Sequence, residues 1–130
     1  MDCEEIRVDI RKTDPQDRKE GQRCAKLLFQ LNHTMPYTEE YSAILRELFG
    51  ENLGEGSIIN PPLSGACVSS MKIGRHVLIN SNLLAMARGG ITIEDHAMIA
   101  ANVQLLSNNH DPYDLMVLPC KPVLIKESAW

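Results

Sequence analysis

Two rhythms of apolar and polar residues divide the chain. In the first, Cys24, Leu27, Leu28 and Leu31 fall at i, i+3, i+4 and i+7, a single apolar stripe on a helix. Asp14 followed by Pro15 marks the start of that helix, a capping side chain before a first-turn proline. Met35-Pro36 breaks the segment. A second helix is predicted from about Thr38, with Glu39 and Glu40 in the first turn, where the macrodipole favours acids. Tyr41, Ile44, Leu45, Leu48 and Phe49 form its stripe, and Gly50 ends it. Two short amphipathic helices cannot bury both stripes on each other, so they are expected to pack on the rest of the chain or on another subunit.

From Ile73 the period changes to six. The segments "IGRHVL", "INSNLL", "AMARGG", then "IT", then "IEDHAM", "IAANVQ" and "LLSNNH" follow one another. Ile73, Ile79, Ala85, Ile93, Ile99 and Leu105 hold the first position, and Val77, Leu83, Gly89, Ala97 and Val103 the fifth. Six is the period of neither an isolated helix nor a hairpin. It fits short strands separated by corners, three faces to a coil, wound as a parallel β-helix with positions one and five pointing inward. Polar and glycine residues between them would form the corners. The competing reading is a small sandwich with evenly spaced strands. On the β-helix reading the fold is mainly β, with a helical segment over residues 1–55 and hexapeptide coils over 56–130. A loop excursion at about 110–122 interrupts the coils. Spacing alone leaves the hand of the coil open.

Composition narrows the function. The 130 residues suit one domain. Residues 1–55 hold 12 acids and 8 bases and residues 56–130 hold 5 of each, so the whole net charge of -4 lies in the first part. Nucleic acid is not an expected partner, because phosphate binding needs a concentrated basic face. No apolar run reaches the roughly 18 residues of a membrane span, and no secretory pattern opens the chain. Cys3, Cys24, Cys67 and Cys120 follow no zinc or redox spacing, so reduced thiols in a cytoplasm are expected.

The stretches "KIGRHVLINSN", "IAANVQLLSNNHDPYD" and "KPVLIKESAW" resemble the hexapeptide-repeat acyltransferases, in particular the galactoside and maltose O-acetyltransferase family. "LLFQLNHTMPYTEE" is similar to the helical opening of the same family. The resemblance covers roughly Cys24 to Trp130, and its most specific part surrounds His110. It implies a left-handed parallel β-helix preceded by two short α-helices. It also implies homotrimers with the active site between subunits, and transfer of an acetyl group from acetyl-CoA to a hydroxyl of a sugar or related small acceptor. Position by position, His110 matches the catalytic histidine, Asn80 an acceptor-binding asparagine, and Trp130 the tryptophan beside the coenzyme.

Three departures accompany the resemblance. Ala87-Arg88 stands where the family usually has acids, so Arg88 is either an ordinary exposed corner residue or an acceptor contact suited to an anion. Met1–Lys12 does not follow the usual opening. The chain also ends at Trp130, where family members continue through further coils. The alternative function is therefore a truncated, non-catalytic β-helix serving as an assembly module without most of the coenzyme groove.

The chemistry expected of His110 follows from the reaction. A thioester is already activated, whereas a sugar hydroxyl is almost fully protonated at neutral pH. A base placed at that hydroxyl is worth about 10²–10⁴-fold, and imidazole, with an ordinary pKa of about 6.5, suits the task. By local composition alone, His110 could equally be a solvated histidine in an Asn-rich turn. His76 and His96 are expected to stack on adjacent coils. A metal-dependent hydratase is conceivable on that pair, but no third ligand stands at matching spacing, and no metal is expected.

Overall fold

The computed structural model describes residues 4–130; Met1, Asp2 and Cys3 lie outside the described residues. Its first element is a strand, β1 (Ile6–Asp9), followed by α1 (Pro15–Asn32) and α2 (Glu39–Phe49). Asp14 caps α1 by accepting from the Asp17 amide at 3.0 Å, and Thr38 caps α2 by accepting from the Tyr41 amide at 3.2 Å. The predicted stripes are buried, with Cys24, Leu27, Leu28 and Leu31 facing Tyr41, Leu45, Leu48 and Phe49 in one core.

Short strands then wind into coils: β2 (Ile58–Ile59), β3 (Leu63–Ala66), β4 (Lys72–Ile73), β5 (Leu78–Ile79), β6 (Leu83–Met86), β7 (Ile91–Ile93), β8 (Met98–Ile99) and β9 (Gln104–Leu106). After the excursion come β10 (Val117–Cys120) and β11 (Val123–Ile125). Three parallel sheets result, ordered β2-β5-β8, β3-β6-β9 and β4-β7-β11. Partners in the first two sheets stand 20 positions apart, Ile59 on Ile79 on Ile99 and Leu63 on Leu83. Between β7 and β11 the step is 32, Ile91 on Val123, because the excursion intervenes. This is a left-handed parallel β-helix, as the resemblance implied, and the sandwich reading is set aside.

The hexad rule for burial holds at every first position and at three of the five fifth positions, Gly89 and Val103 being only partly buried. Ile73, Ile79, Ala85, Ile93, Ile99 and Leu105 are all buried, as are Val77, Leu83 and Ala97. The corners take left-handed φ values, 70° at Asn82 and 64° at Asn102, a region in which asparagine is among the least strained residues. The Asn82 side-chain amide donates from Nδ2 to Asn102 Oδ1 at 2.8 Å, tying one coil to the next. His76 and His96 also occupy left-handed corners, at 52° and 62°. Their rings stack with centroids 5.4 Å apart.

A β-helix leaves unpaired backbone at its open end. Here the helices cover the first coil. The side-chain amide of Asn32, at the end of α1, donates to the Leu63 carbonyl at 2.8 Å and accepts from the Leu63 amide at 2.9 Å. It pairs with β3 as a neighbouring strand would. The Tyr41 hydroxyl donates to the Ile59 carbonyl at 2.6 Å, and burial pushes its phenol up to about 12.

The excursion is a hairpin. Residues 107–111 run antiparallel to residues 117–121, with Lys121 N donating to Ser107 O, Asn109 N to Pro119 O and Asp111 N to Val117 O. β1 adds to the other side of β10, antiparallel, with Ile6 opposite Cys120 and Asp9 opposite Val117. Residues 1–55 were expected to be helical, and this strand is the difference. Its alternation over four residues is too short to signal a strand, and its partner lies more than a hundred positions away.

Candidate active site

His110 sits at the end of the hairpin's first leg. Ser107, buried, anchors that leg to the coil below: its hydroxyl donates to the Met86 carbonyl at 2.5 Å and accepts from the Gly89 amide at 2.8 Å. The Asn109 side chain accepts from the His110 amide at 2.8 Å. The imidazole is exposed, and its Nδ1 lies 2.6 Å from the Leu115 carbonyl oxygen. A carbonyl only accepts, so this contact requires the hydrogen on Nδ1. In the neutral ring Nε2 then carries the free lone pair. A ring held in this way can accept a proton at Nε2.

The turn itself is folded by two aspartates. Asp111 Oδ1 accepts from the amides of Tyr113 at 2.7 Å and Asp114 at 3.2 Å. Its other oxygen accepts from Arg7. These backbone bonds, with the Arg7 guanidinium, hold the Asp111 carboxyl below its ordinary value. Two residues before His110, Asn108 Oδ1 is buried without a hydrogen-bond partner among the described residues.

No hydrogen bond joins the other sequence-predicted residues to His110 among the described residues. Asn80 is exposed at a corner, its Oδ1 accepting from the Ser81 amide at 2.7 Å. Trp130 is 99% exposed. Arg88 is half-buried and lines a cavity of about 680 Å³ between β1, the start of α1 and the corner after β3. Among the described residues it has no ion-pair or hydrogen-bond partner. Cys67, in the same cavity, has its thiol pushed up by burial, with the Arg88 charge opposing the shift. His110, Asn80 and Trp130 line neither this cavity nor the one of about 440 Å³ beside Lys72 and Glu94. His76 and His96 belong to no cluster of three potential metal ligands among the described residues. No helix of the described residues is long and apolar enough to cross a membrane.

Sequence reasoning missed Leu115, Arg7 and Asn32. Leu115 acts through its carbonyl, which leaves no trace in residue type. Arg7 is one of many charges in an acidic opening, and only the pairing of β1 with β10 brings it to Asp111.

The coils, the leading helices and the exposed histidine beyond the third face define a class: the chain resembles the hexapeptide-repeat acetyltransferases in sequence and in fold. Within it, the galactoside O-acetyltransferase of Escherichia coli (strain K12) is 31% identical over 97 residues, which is 74% of this chain and 46% of that protein. A hexapeptide-repeat acetyltransferase from Vibrio cholerae superposes with a TM-score of 0.77 at 28% identity, over 86% of this chain and 65% of the other. The same enzyme solved with acetyl-CoA gives 0.75 at 26%, over 85% and 61%. A galactoside acetyltransferase in complex with coenzyme A gives 0.76 at 26%, over 85% and 57%. The chain spans about half the length of the curated relative it matches. No protein-family profile matches it.

Proposed function

We propose that this chain carries the acceptor-activating part of an O-acetyltransferase that moves the acetyl group of acetyl-CoA to a hydroxyl of a sugar or related small molecule. The observation that carries the reading is the bond from His110 Nδ1 to the Leu115 carbonyl, which leaves Nε2 as a directed base. In the reaction, Nε2 takes the acceptor hydroxyl proton as its oxygen attacks the thioester carbonyl carbon. The carbon–sulfur bond then breaks, and the imidazolium returns the proton to the departing coenzyme thiolate. Support also comes from the likeness to an O-acetyltransferase and to enzymes solved with acetyl-CoA or coenzyme A. Trp130 would lie against the coenzyme, and Asn80 and Arg88 would face the acceptor.

Assembly belongs to the same proposal. Ile58, Leu78 and Met98 form an outward apolar column on one face, with Ile58 43% and Met98 52% exposed. Such a column suits burial against another copy. A trimer would also bring a neighbouring protomer's surface to His110, which lines neither main cavity of its own chain. Free Cys24, Cys67 and Cys120 are in keeping with a cytoplasmic setting.

His110→Ala tests the reading in an acetyl-transfer assay with acetyl-CoA and a panel of sugars. The expected loss in kcat is about 10²–10⁴-fold with the oligomer preserved. An unchanged rate would refute the role given to His110.

A further inference from the structure

The turn that orients His110 is gripped from outside the hairpin. Arg7 on β1 reaches Asp111, and Arg11, just after β1, donates from Nη2 to Asp114 Oδ2 at 2.7 Å. Arg11 is itself held as a fork on Asp9, with Nε to Oδ1 at 2.9 Å and Nη2 to Oδ2 at 3.0 Å. Each aspartate divides its two oxygens between backbone and arginine. Asp111 Oδ1 fixes the amides of Tyr113 and Asp114, and Asp114 Oδ1 fixes that of Met116 at 3.2 Å. Asp114 O accepts from Val117 N at 2.9 Å. The amides on both sides of Leu115 are therefore tied to carboxylates whose remaining oxygens end on Arg7 or Arg11. The Leu115 carbonyl between them is the acceptor for His110 Nδ1.

We propose that Arg7 and Arg11 are positioning residues for His110: by holding Asp111 and Asp114 they fix the turn that keeps the imidazole in its Nδ1–H tautomer. The proposal rests on reading His110 as the general base. The physical reason is geometrical. Exposed ion pairs add little to stability, but a base must sit within a fraction of an ångström of its target to act. β1 thereby becomes part of the site's frame, although its sequence lies outside the stretch that resembles the family.

The test combines nitrogen NMR of the His110 ring, recorded above the imidazole pKa, with steady-state acetyl transfer by the same protein. Wild type is expected to show the Nδ1–H tautomer. Arg7→Ala/Arg11→Ala is expected to mix the two tautomers and lower kcat roughly 10- to 100-fold, with the KM for acetyl-CoA changed by less than about twofold. Asp111→Asn keeps an oxygen for the turn amides but loses the charge, so adding Arg7→Ala to it is expected to cost nothing further. Arg7→Lys/Arg11→Lys keeps the charges without the Arg11 fork on Asp9 and is expected to fall between wild type and the double alanine variant; it also serves if the alanine variant does not fold. An unaltered tautomer and kcat in the double variant would overturn the proposal, as would additive effects of Arg7→Ala and Asp111→Asn. A wild-type protein with the tautomer but no acetyl transfer would sink the proposed activity instead, leaving the tautomer comparison to decide the positioning role.

Discussion

Asn32→Leu offers the sharpest test of how the open end of the β-helix is closed. Asn32 lies at the last residue of α1, and its amide group makes two hydrogen bonds to the backbone of Leu63, whose residue is 1% exposed. Leucine has the same branching, is somewhat larger and carries no polar atom, so both Leu63 groups would be stranded. An orphaned buried donor or acceptor costs about 1–3 kcal/mol, so the pair is worth about 2–4 kcal/mol after the apolar gain of leucine is allowed for. For a domain of this size that corresponds to a fall in Tm of roughly 6–15 °C. Differential scanning calorimetry measures it directly. Asn52→Leu is the control, because the Asn52 amide makes only one long contact, 3.4 Å, to the Ser69 carbonyl. A fall in Tm of under about 3 °C, or equal falls in both variants, would show that Asn32 does not stand in for a strand.

Gly65→Ala should be costlier still. Gly65 has φ of 143°, and an added Cβ would lie 1.9 Å from the Ala85 carbonyl oxygen on the next coil. Strained φ and a backbone collision together are worth about 2–6 kcal/mol, read as lost soluble protein or a much lower Tm; near wild-type melting would contradict the coil spacing. Docking of β1 on the hairpin should depend on pH. Asp111 and Asp9 are both held below their ordinary 3.8, Asp111 first by backbone bonds and then Arg7, and Asp9 by Arg11. A depressed native value stabilises above 3.8 and is lost as pH falls through the lowered native values, so the protection factor of the Ile10 amide, exchange corrected for its intrinsic rate, should fall only below about pH 4. A loss of protection as pH falls from 7 to 5 would contradict this assignment.

The sequence by itself carried the scaffold. Aliphatic residues at every sixth place can share a core by stacking in register from coil to coil, as Ile59, Ile79 and Ile99 do. The helix starts at Asp14-Pro15 and Thr38 were likewise legible, because capping is a local matter between a side chain and amides two or three residues on. His110 stood out by residue type at the break in the rhythm. What it does with its ring did not, because the tautomer depends on a backbone carbonyl five positions away that any residue would supply. The closing of the first coil by Asn32, and the gripping of the His110 turn by Arg7 and Arg11, belong to the tertiary structure alone. Each joins groups that are dozens of positions apart or more, and no periodicity links them. Pattern determines which surfaces must be buried together; only the folded chain decides which polar groups meet at their edges, and the proposed chemistry depends on those edges.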